Sequence, residues 1–525
     1  MKNLLKILQH NISIVFVAVC LFVFGAAYNV GDLRAWHGTI TPTPFPMPKA
    51  TSTPASDFDV AKLLKQFDTT VVQATANYPG NDIGAKINQA DAKCGNRYCI
   101  IVVTGNDPFK TAAYTSENRQ IKFLNGTHKS QLKTGYGRVL YPKNNTLIYA
   151  DSWNSIIEEA DDDLTNPAEP PRHSLILPFN ATIVPYNQGE STANILKSSN
   201  IHVIGLHFRG SKVNPAKDIG LSTVGIGNDD NSSVQDSFFE RTSGYGVSVG
   251  ATPGEKVVGA TLPDGRTVGF HARNCAVLRN RFENLLTQNI GIITVNGLIL
   301  ADNQFINPGK LQPNGSFSPF LTVIDVEPNG SDREIIASVK IIRNLIDARA
   351  SGGSQYFGAI AFQITNPKIF NEKNEISDNV ILGVETGKGQ LSFGILVNSY
   401  GTNDLLIQRN SIKNTGQSGM SLSGSNIRVI DNKMENVGGG GNPGMYAVSL
   451  KNSQMIRNKI SLTPGGIPGS KEIFEQGVNK NNLWEENEAQ GIRHLPNSTV
   501  TNSTYRNNRT IDGLIQNANS KDNRQ

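Results

Sequence analysis

The sequence predicts an all-β protein of the parallel β-helix kind, and three observations predict it. The first is a degenerate motif, apolar-x-x-Asn-x-apolar, readable in NCAVLRNRFEN, NGLILADNQFIN, SVKIIRNLIDA, FNEKNEIS, NDLLIQRNSIKN, SNIRVIDNKMEN and NSQMIRNKIS. Aligned on Asn280, Asn303, Asn344, Asn374, Asn410, Asn432 and Asn458, each copy carries an apolar residue two positions on: Phe282, Phe305, Ile346, Ile376, Ile412, Met434 and Ile460. Weaker copies (Leu206 with Phe208, Ser237 with Phe239, Ser503 with Tyr505) extend the series at both ends. The second is spacing: copies recur every 22 to 45 residues, which is the length of one solenoid turn. The third is composition, with 50 glycines and only 7% aromatic residues, suited to many tight turns around a slim interior.

Within a copy, Val277, Arg279 and Arg281 alternate with Leu278 and Asn280, the two-residue period of a strand. A repeat this short cannot bury its own apolar face, so coils must stack, with equal positions above one another about 4.8 Å apart. An inward asparagine on every coil can then bond the backbone and amide of its neighbours, forming a ladder.

From the N-terminus, Lys2 and Lys6 precede an uncharged apolar run from Ile12 to Ala27 ending in Gly25-Ala26-Ala27. Residues 1–27 fit a secretory signal or a retained signal anchor. Val19 before Cys20 argues against a lipoprotein site. Residues 28–56 contain the tract TITPTPFPMPKATSTPAS, which cannot form a core and reads as an extended stalk. The folded domain is expected over 57–515, with a polar tail over 516–525. A further helical pattern runs from Asp59 to Phe67, and Asp82 stands as N-cap to a helix with Ile83, Ile87 and Ala90 on one face. Such a cap is required, because an open first coil exposes unpaired strand edges. Cys94 and Cys99 bracket CGNRYC and favour a small disulfide in an oxidising compartment, leaving Cys275 as a buried strand residue. Asp161, Asp162 and Asp163 with Glu158 and Glu159 form an acidic run, expected as a solvated loop.

The ladder motif, the cap and the strands after it (CIIVVTG, QIKFLNGTHK, YPKNNTLIYADSWNSIIEEA) resemble the right-handed parallel β-helix proteins of the pectate lyase-like superfamily over about residues 77 to 510. That resemblance implies a right-handed solenoid with its ligand bound along the outside. It does not carry an activity, because this fold hosts hydrolases, lyases, epimerases, adhesins and tailspikes. The Gly-His-Gly of polygalacturonases is absent, as are the Trp-Ile-Asp-His and Arg-x-Pro-x-x-Arg of calcium-dependent pectate lyases.

Candidate chemistry follows from register. Nine residues before the ladder stand Asn228, His271, Thr294, Ser423 and Ser449, all polar, and coils with longer turns offer Asp325, Glu327, Gln363 and Asn398. In VIDVE, Ile324 and Val326 are expected inward, with Asp325 and Glu327 on one outer face about 6.5 to 7 Å apart. Two such carboxylates can divide acid and base work in glycoside hydrolysis or hold a hard cation, so Ca2+ is a possible ligand. His271 is the third catalytic candidate, and Asp229, Arg273, Gln363 and Asn398 are candidate substrate ligands. The net charge of +5, falling by two without Lys2 and Lys6, leaves no nucleic-acid footprint, and the CxxxxC spacing gives no zinc site. The expected partner is an extracellular or cell-surface polysaccharide, with any membrane contact confined to the N-terminal segment. Scarce aromatics at the column positions favour an enzyme over an adhesive binder.

Overall fold

The computed structural model describes residues 71–516 apart from 133–138, 160–197, 211–221, 243–244, 251–258, 286–287, 310–320, 350–355, 385–390, 398, 439–441, 462–472, 496–497 and 511–514. By internal contacts the chain divides at Ser56/Asp57, and the signal, stalk, Asp59–Phe67 helix and C-terminal tail lie outside the described residues. Three long sheets of parallel strands, of 16, 13 and 13 strands, run the length of the domain, and each coil contributes one strand to each in turn. Thus Ala272–Leu278 lies in the first sheet, Arg281–Glu283 in the second and Ile290–Ile292 in the third, before Val295–Ala301 returns to the first one level on. This is the parallel β-helix that the sequence predicts.

The first end is closed by helix α1 (Ile83–Cys94), with Ile83, Ile87 and Ala90 all fully buried on the first coil. The Asp82 carboxylate accepts from Gly84 N (3.1 Å) and also from Lys110 N and Thr111 N (3.0 and 3.2 Å), so one residue caps the helix and anchors the next coil to it. At the other end of α1, the buried Arg119 guanidinium donates to the Asp91 carboxylate and the carbonyls of Gly95 and Arg97, and a Cys94–Cys99 disulfide ties the helix to the strand Cys99–Val103. Cys275 is buried, and its thiol is pushed well up by burial.

The ladder is present, but five residues later than the alignment in one coil. Each Nδ2 donates to the next Oδ1 at 2.9–3.0 Å through Asn280, Asn303, Asn344, Asn379, Asn410, Asn432, Asn458, Asn487 and Asn508. The member of the FNEKNEISDN coil is therefore Asn379 with Ile381, not Asn374 with Ile376. Asn374 sits five residues earlier, at the entry to the first sheet, where its Oδ1 accepts from Val339 N (3.0 Å). Ser503 makes the same five-residue slip, accepting from Asn482 N while Asn508 holds the ladder place. Each coil turns twice within five residues, and in this coil both turns are followed by Asn-x-Ile.

The strand expected to run through Arg279 is broken there. Asp236, Arg279, Asp302, Arg343, Asp378, Arg409, Asp431, Arg457 and Glu486 all precede the ladder position with φ between 51° and 59°, and this left-handed residue makes the corner between first and second sheets. Their charges alternate from coil to coil, and Arg279–Asp236, Arg343–Asp302, Arg409–Asp378 and Arg457–Asp431 pair at 2.7–2.8 Å. Parallel in-register stacking would otherwise place like charges together. Inside the second sheet, Phe208, Phe239, Phe282 and Phe305 stack at centroid spacings of 4.7–5.0 Å. The acidic run is not simply solvated: Glu158 pairs with Arg209 and Glu159 is fully buried, accepting from Thr223 Oγ1 (3.4 Å), while Asp161–Asp163 lie outside the described residues.

One carboxyl lies in the axis itself. Glu475 follows the inward row of the third sheet (Ala447, Glu475, His494) and is fully buried against the Tyr505 hydroxyl, with His494 Nε2 at 3.3 Å and Trp484 alongside. Burial raises its pKa to about 7. A folded pKa above the unfolded value means stability fully present below about pH 4.5 and lost as pH rises through 7. Glu475→Gln, which stays neutral, should therefore show a smaller fall in melting temperature between pH 5 and pH 8 than the parent protein. An equal fall in both would place the titration elsewhere.

Candidate functional site

The acid pair sits on the outer face of the third sheet. In Leu321–Val326 both Val323 and Ile324 are fully buried at the corner from the second sheet, after which the alternation settles: Val326 turns inward, and Asp325 and Glu327 turn outward. Glu327 is exposed, but Asp325 is only 4% exposed, against the expectation of two solvent-facing carboxylates. The cause is its neighbours. Gln288 Nε2, from the preceding coil, approaches Asp325 Oδ2 (3.2 Å) and Gln363 Nε2, from the following coil, approaches Oδ1 (3.3 Å). Burial first, then the Glu327 charge and a side-chain hydrogen bond to Glu327, raise the Asp325 pKa to about 7 against the pull of the two amides.

The row through Asp325 runs Gly225, Ser248, Gly291, Asp325, Ala361, Leu396, Ser421, Tyr446 and Phe474, each one strand spacing from the next. Gly291 is required there: a Cβ would stand 2.9 Å from the Tyr245 ring, which lies over it on the level next to Asp325. Aromatic residues thus stand along the acid row, contrary to the scarcity read from the sequence, because the true outer row is not the one nine residues before the ladder.

That other column is covered at His271 and Thr294. A hairpin of Ala260–Thr261 and Thr267–Val268 packs Leu262 and Val268 onto Ile335 and Ala337, beside Phe370, and Arg266 Nη1 donates to Lys368 O (2.6 Å). His271 lies at its root, 2% exposed, with Nδ1 2.9 Å from Gly269 O, and Thr294 is fully buried. The expected groove of His271 with Asp325 and Glu327 is not formed: His271 enters the first sheet beneath the hairpin, while Asp325 faces out from the third. Asp229 is also buried, at 2% exposed. Its neighbour Asp230 faces outward instead and holds Arg273 in a bidentate pair (2.9 and 2.6 Å), in an open pocket of about 380 Å³ lined also by Asn231, Asn274 and Asn296. The charges of this pocket already satisfy each other, whereas the Asp325 row carries the perturbed acid. Asn398 lies outside the described residues. Gln288 and Tyr245 were not found from the sequence; aligning GI at 291–292 on DV at 325–326 would have brought both to the acid.

Among the described residues no three His, Cys, Asp or Glu side chains gather as a metal site, and no helix is long and apolar enough to cross a membrane. No protein-family model and no curated protein matches the chain. Solved structures do. They include the mannuronan C-5 epimerase AlgE6 A-module of Azotobacter vinelandii (12% identity, 82% of this chain and 98% of that one, TM-score 0.42). The surface adhesin PfbA of Streptococcus pneumoniae matches at 12% identity over 84% of this chain and 97% of that one, with a TM-score of 0.41. DFA-IIIase of Arthrobacter chlorophenolicus A6 matches at 10% identity over 80% and 94%, with a TM-score of 0.44. The chain's own three parallel sheets make it a β-helix.

Proposed function

We propose that the protein cleaves glycosidic bonds of an extracellular polysaccharide, with Asp325 as general acid. The observation that supports this is a buried carboxyl, held by two amides, that keeps its proton up to about pH 7 beside a second, exposed carboxyl. A proton held at neutral pH is what a leaving glycosidic oxygen needs. Glu327 takes the second role, base or nucleophile. In hydrogen-bond contact the two groups are closer than the roughly 5–5.5 Å of retaining or 6.5–9.5 Å of inverting glycosidases, so substrate must part them. Glu327 is the one free to move, since Asp325 is clamped from both neighbouring coils. The direct polar partners of Asp325 are amides and a carboxyl, with no cation to hold a uronate, and this favours hydrolysis of a neutral glycan over elimination from a uronate. The second reading, a binder that does not turn its glycan over, draws on Tyr245, Tyr446 and Phe474 along the same face.

A screen of the protein lacking residues 1–56 against neutral and uronate polysaccharides, with and without chelator, tests the reading. Reducing ends from a neutral glycan support hydrolysis. An unsaturated product would assign a lyase, loss with chelator would assign Ca2+ a part, and binding without turnover would assign the adhesive role. Export, with residues 1–27 as signal or anchor and the tract at 39–56 as stalk, belongs to the same proposal. Limited proteolysis of the full chain is expected to cut within residues 39–56 before any coil, and early cuts within 270–460 with that tract intact would contradict it.

A further inference from the structure

We propose that the outer face of the second sheet, at Trp153 and Phe238, is a docking platform for a neutral sugar ring, separate from the acid pair on the third sheet. Of the two described tryptophans, Trp484 is fully buried in the axis, while Trp153 leaves 42% of its surface exposed. Trp153 is nevertheless held firmly. Its indole Nε1 donates to Asp236 O (2.8 Å), 83 residues on and two coils along, and its ring rests on Phe238 at a centroid distance of 5.2 Å. Phe238 stands in an outward row with His207 before it and Arg281 after it. The His207 ring stacks on it at 4.4 Å and the Arg281 guanidinium lies 5.8 Å from its centroid. The indole is thus a rigid apolar plane that binds with little loss of side-chain entropy.

The rim decides the ligand's charge. Arg281 pairs with Glu283 (2.7 Å), Arg241 with Glu240 (3.2 Å), and Arg209 with Glu158, while burial lowers the pKa of His207, which contacts Glu240. The arginines on this face each lie against a carboxylate, Glu240 being shared by Arg241 and His207, so the rim presents balanced ion pairs in place of an open cationic site for a uronate, sulfate or phosphate. What the rim offers is half-exposed donors and acceptors around an aromatic plane, the chemistry that takes a pyranose by its C–H face and its equatorial hydroxyls. Two platforms on two faces of one solenoid would keep a long glycan chain in reach while the acid pair works on another segment. The location rests on the geometry alone; the ligand class rests on the polysaccharide reading.

The test is titration calorimetry of the full chain and its variants, with acrylamide quenching of tryptophan fluorescence in the wild type, using cello-, xylo-, manno- and malto-oligosaccharides against oligouronates as controls. At least one neutral oligosaccharide should protect the wild type and bind Trp153→Ala at least tenfold more weakly. Trp153→Phe, which keeps a plane, should retain most of the affinity, and Asp325→Asn should retain all of it. Equal affinity in Trp153→Ala, preference for the oligouronates, or no protection by any neutral sugar would overturn the proposal. Turnover surviving in Asp325→Asn would instead remove Asp325 from the acid role and leave this platform standing.

Discussion

Asp325→Asn is expected to lower turnover of a responsive glycan by roughly 10²- to 10⁴-fold, the usual worth of a positioned acid, while the protein folds as before. Asparagine keeps the size and one acceptor oxygen, presents an NH2 to the second glutamine, whose amide flips to accept from it, and carries no acidic proton. In the parent protein, activity should fall as pH rises through about 7, where Asp325 loses its proton. Stability carries the same signature with a definite sign. Because the folded pKa lies above the unfolded one, Asp325 contributes fully below about pH 4 and its contribution is lost as pH rises through 7. At about 1.4 kcal/mol per pKa unit, the cost of ionising it in place is of the order of a few kcal/mol. Asp325→Asn should therefore be at least as stable as the parent at pH 8 and less sensitive to pH. A variant with full turnover, or one whose melting temperature drops at pH 8, would remove Asp325 from the acid role. Glu327→Gln gives an independent reading: without the neighbouring charge, the Asp325 carboxyl should titrate lower in a ¹³C spectrum of that variant.

The fold was legible because a solenoid writes its core into the sequence at every turn. Asn280, Asn303 and Asn432 each precede an inward residue by two, and α1 begins with an aspartate that caps its helix end. Where reading failed, it failed on the length of turns. Asn374 and Asn379 carry the same local pattern, and only the chain between coils decides which one meets Asn344. The site was harder for the same reason. Asp325 and Glu327 could be placed outward from VIDVE alone, since one strand fixes its own faces. Burial of Asp325 depends on glutamines 37 residues before it and 38 after it, and burial of His271 depends on a hairpin that folds over the corner. Neither relation has a local signal. The alternating charges at the left-handed corner are a middle case: Arg279, Arg343, Arg409 and Arg457 stand in plain view beside the ladder, but their pairing with Asp236, Asp302, Asp378 and Asp431 appears only once the coils are stacked.

Asn432→Ala is expected to be the most destabilising single change in the ladder's middle, because one amide serves three coils. Its Nδ2 donates to Ile407 O (3.0 Å), Ile430 O (3.1 Å) and Asn458 Oδ1 (2.9 Å), and its Oδ1 accepts from both the backbone N and the Nδ2 of Asn410 (3.0 and 2.9 Å). The residue is 1% exposed, so water cannot take over these bonds without opening the axis. Alanine orphans the Asn410 backbone N–H and the Ile407 carbonyl at the least, at about 1–3 kcal/mol for each buried unsatisfied group, which gives about 2–6 kcal/mol in all. Surface pairs of the same coil provide the control. Asp431, directly before Asn432, pairs with Arg457 in an exposed salt bridge, and breaking such a pair should cost under about 1 kcal/mol. Chemical denaturation of Asn432→Ala and Asp431→Asn side by side should therefore separate them clearly. Equal midpoints would mean that the coils are held by their aliphatic stacks alone and that the asparagine ladder follows from the fold rather than supporting it.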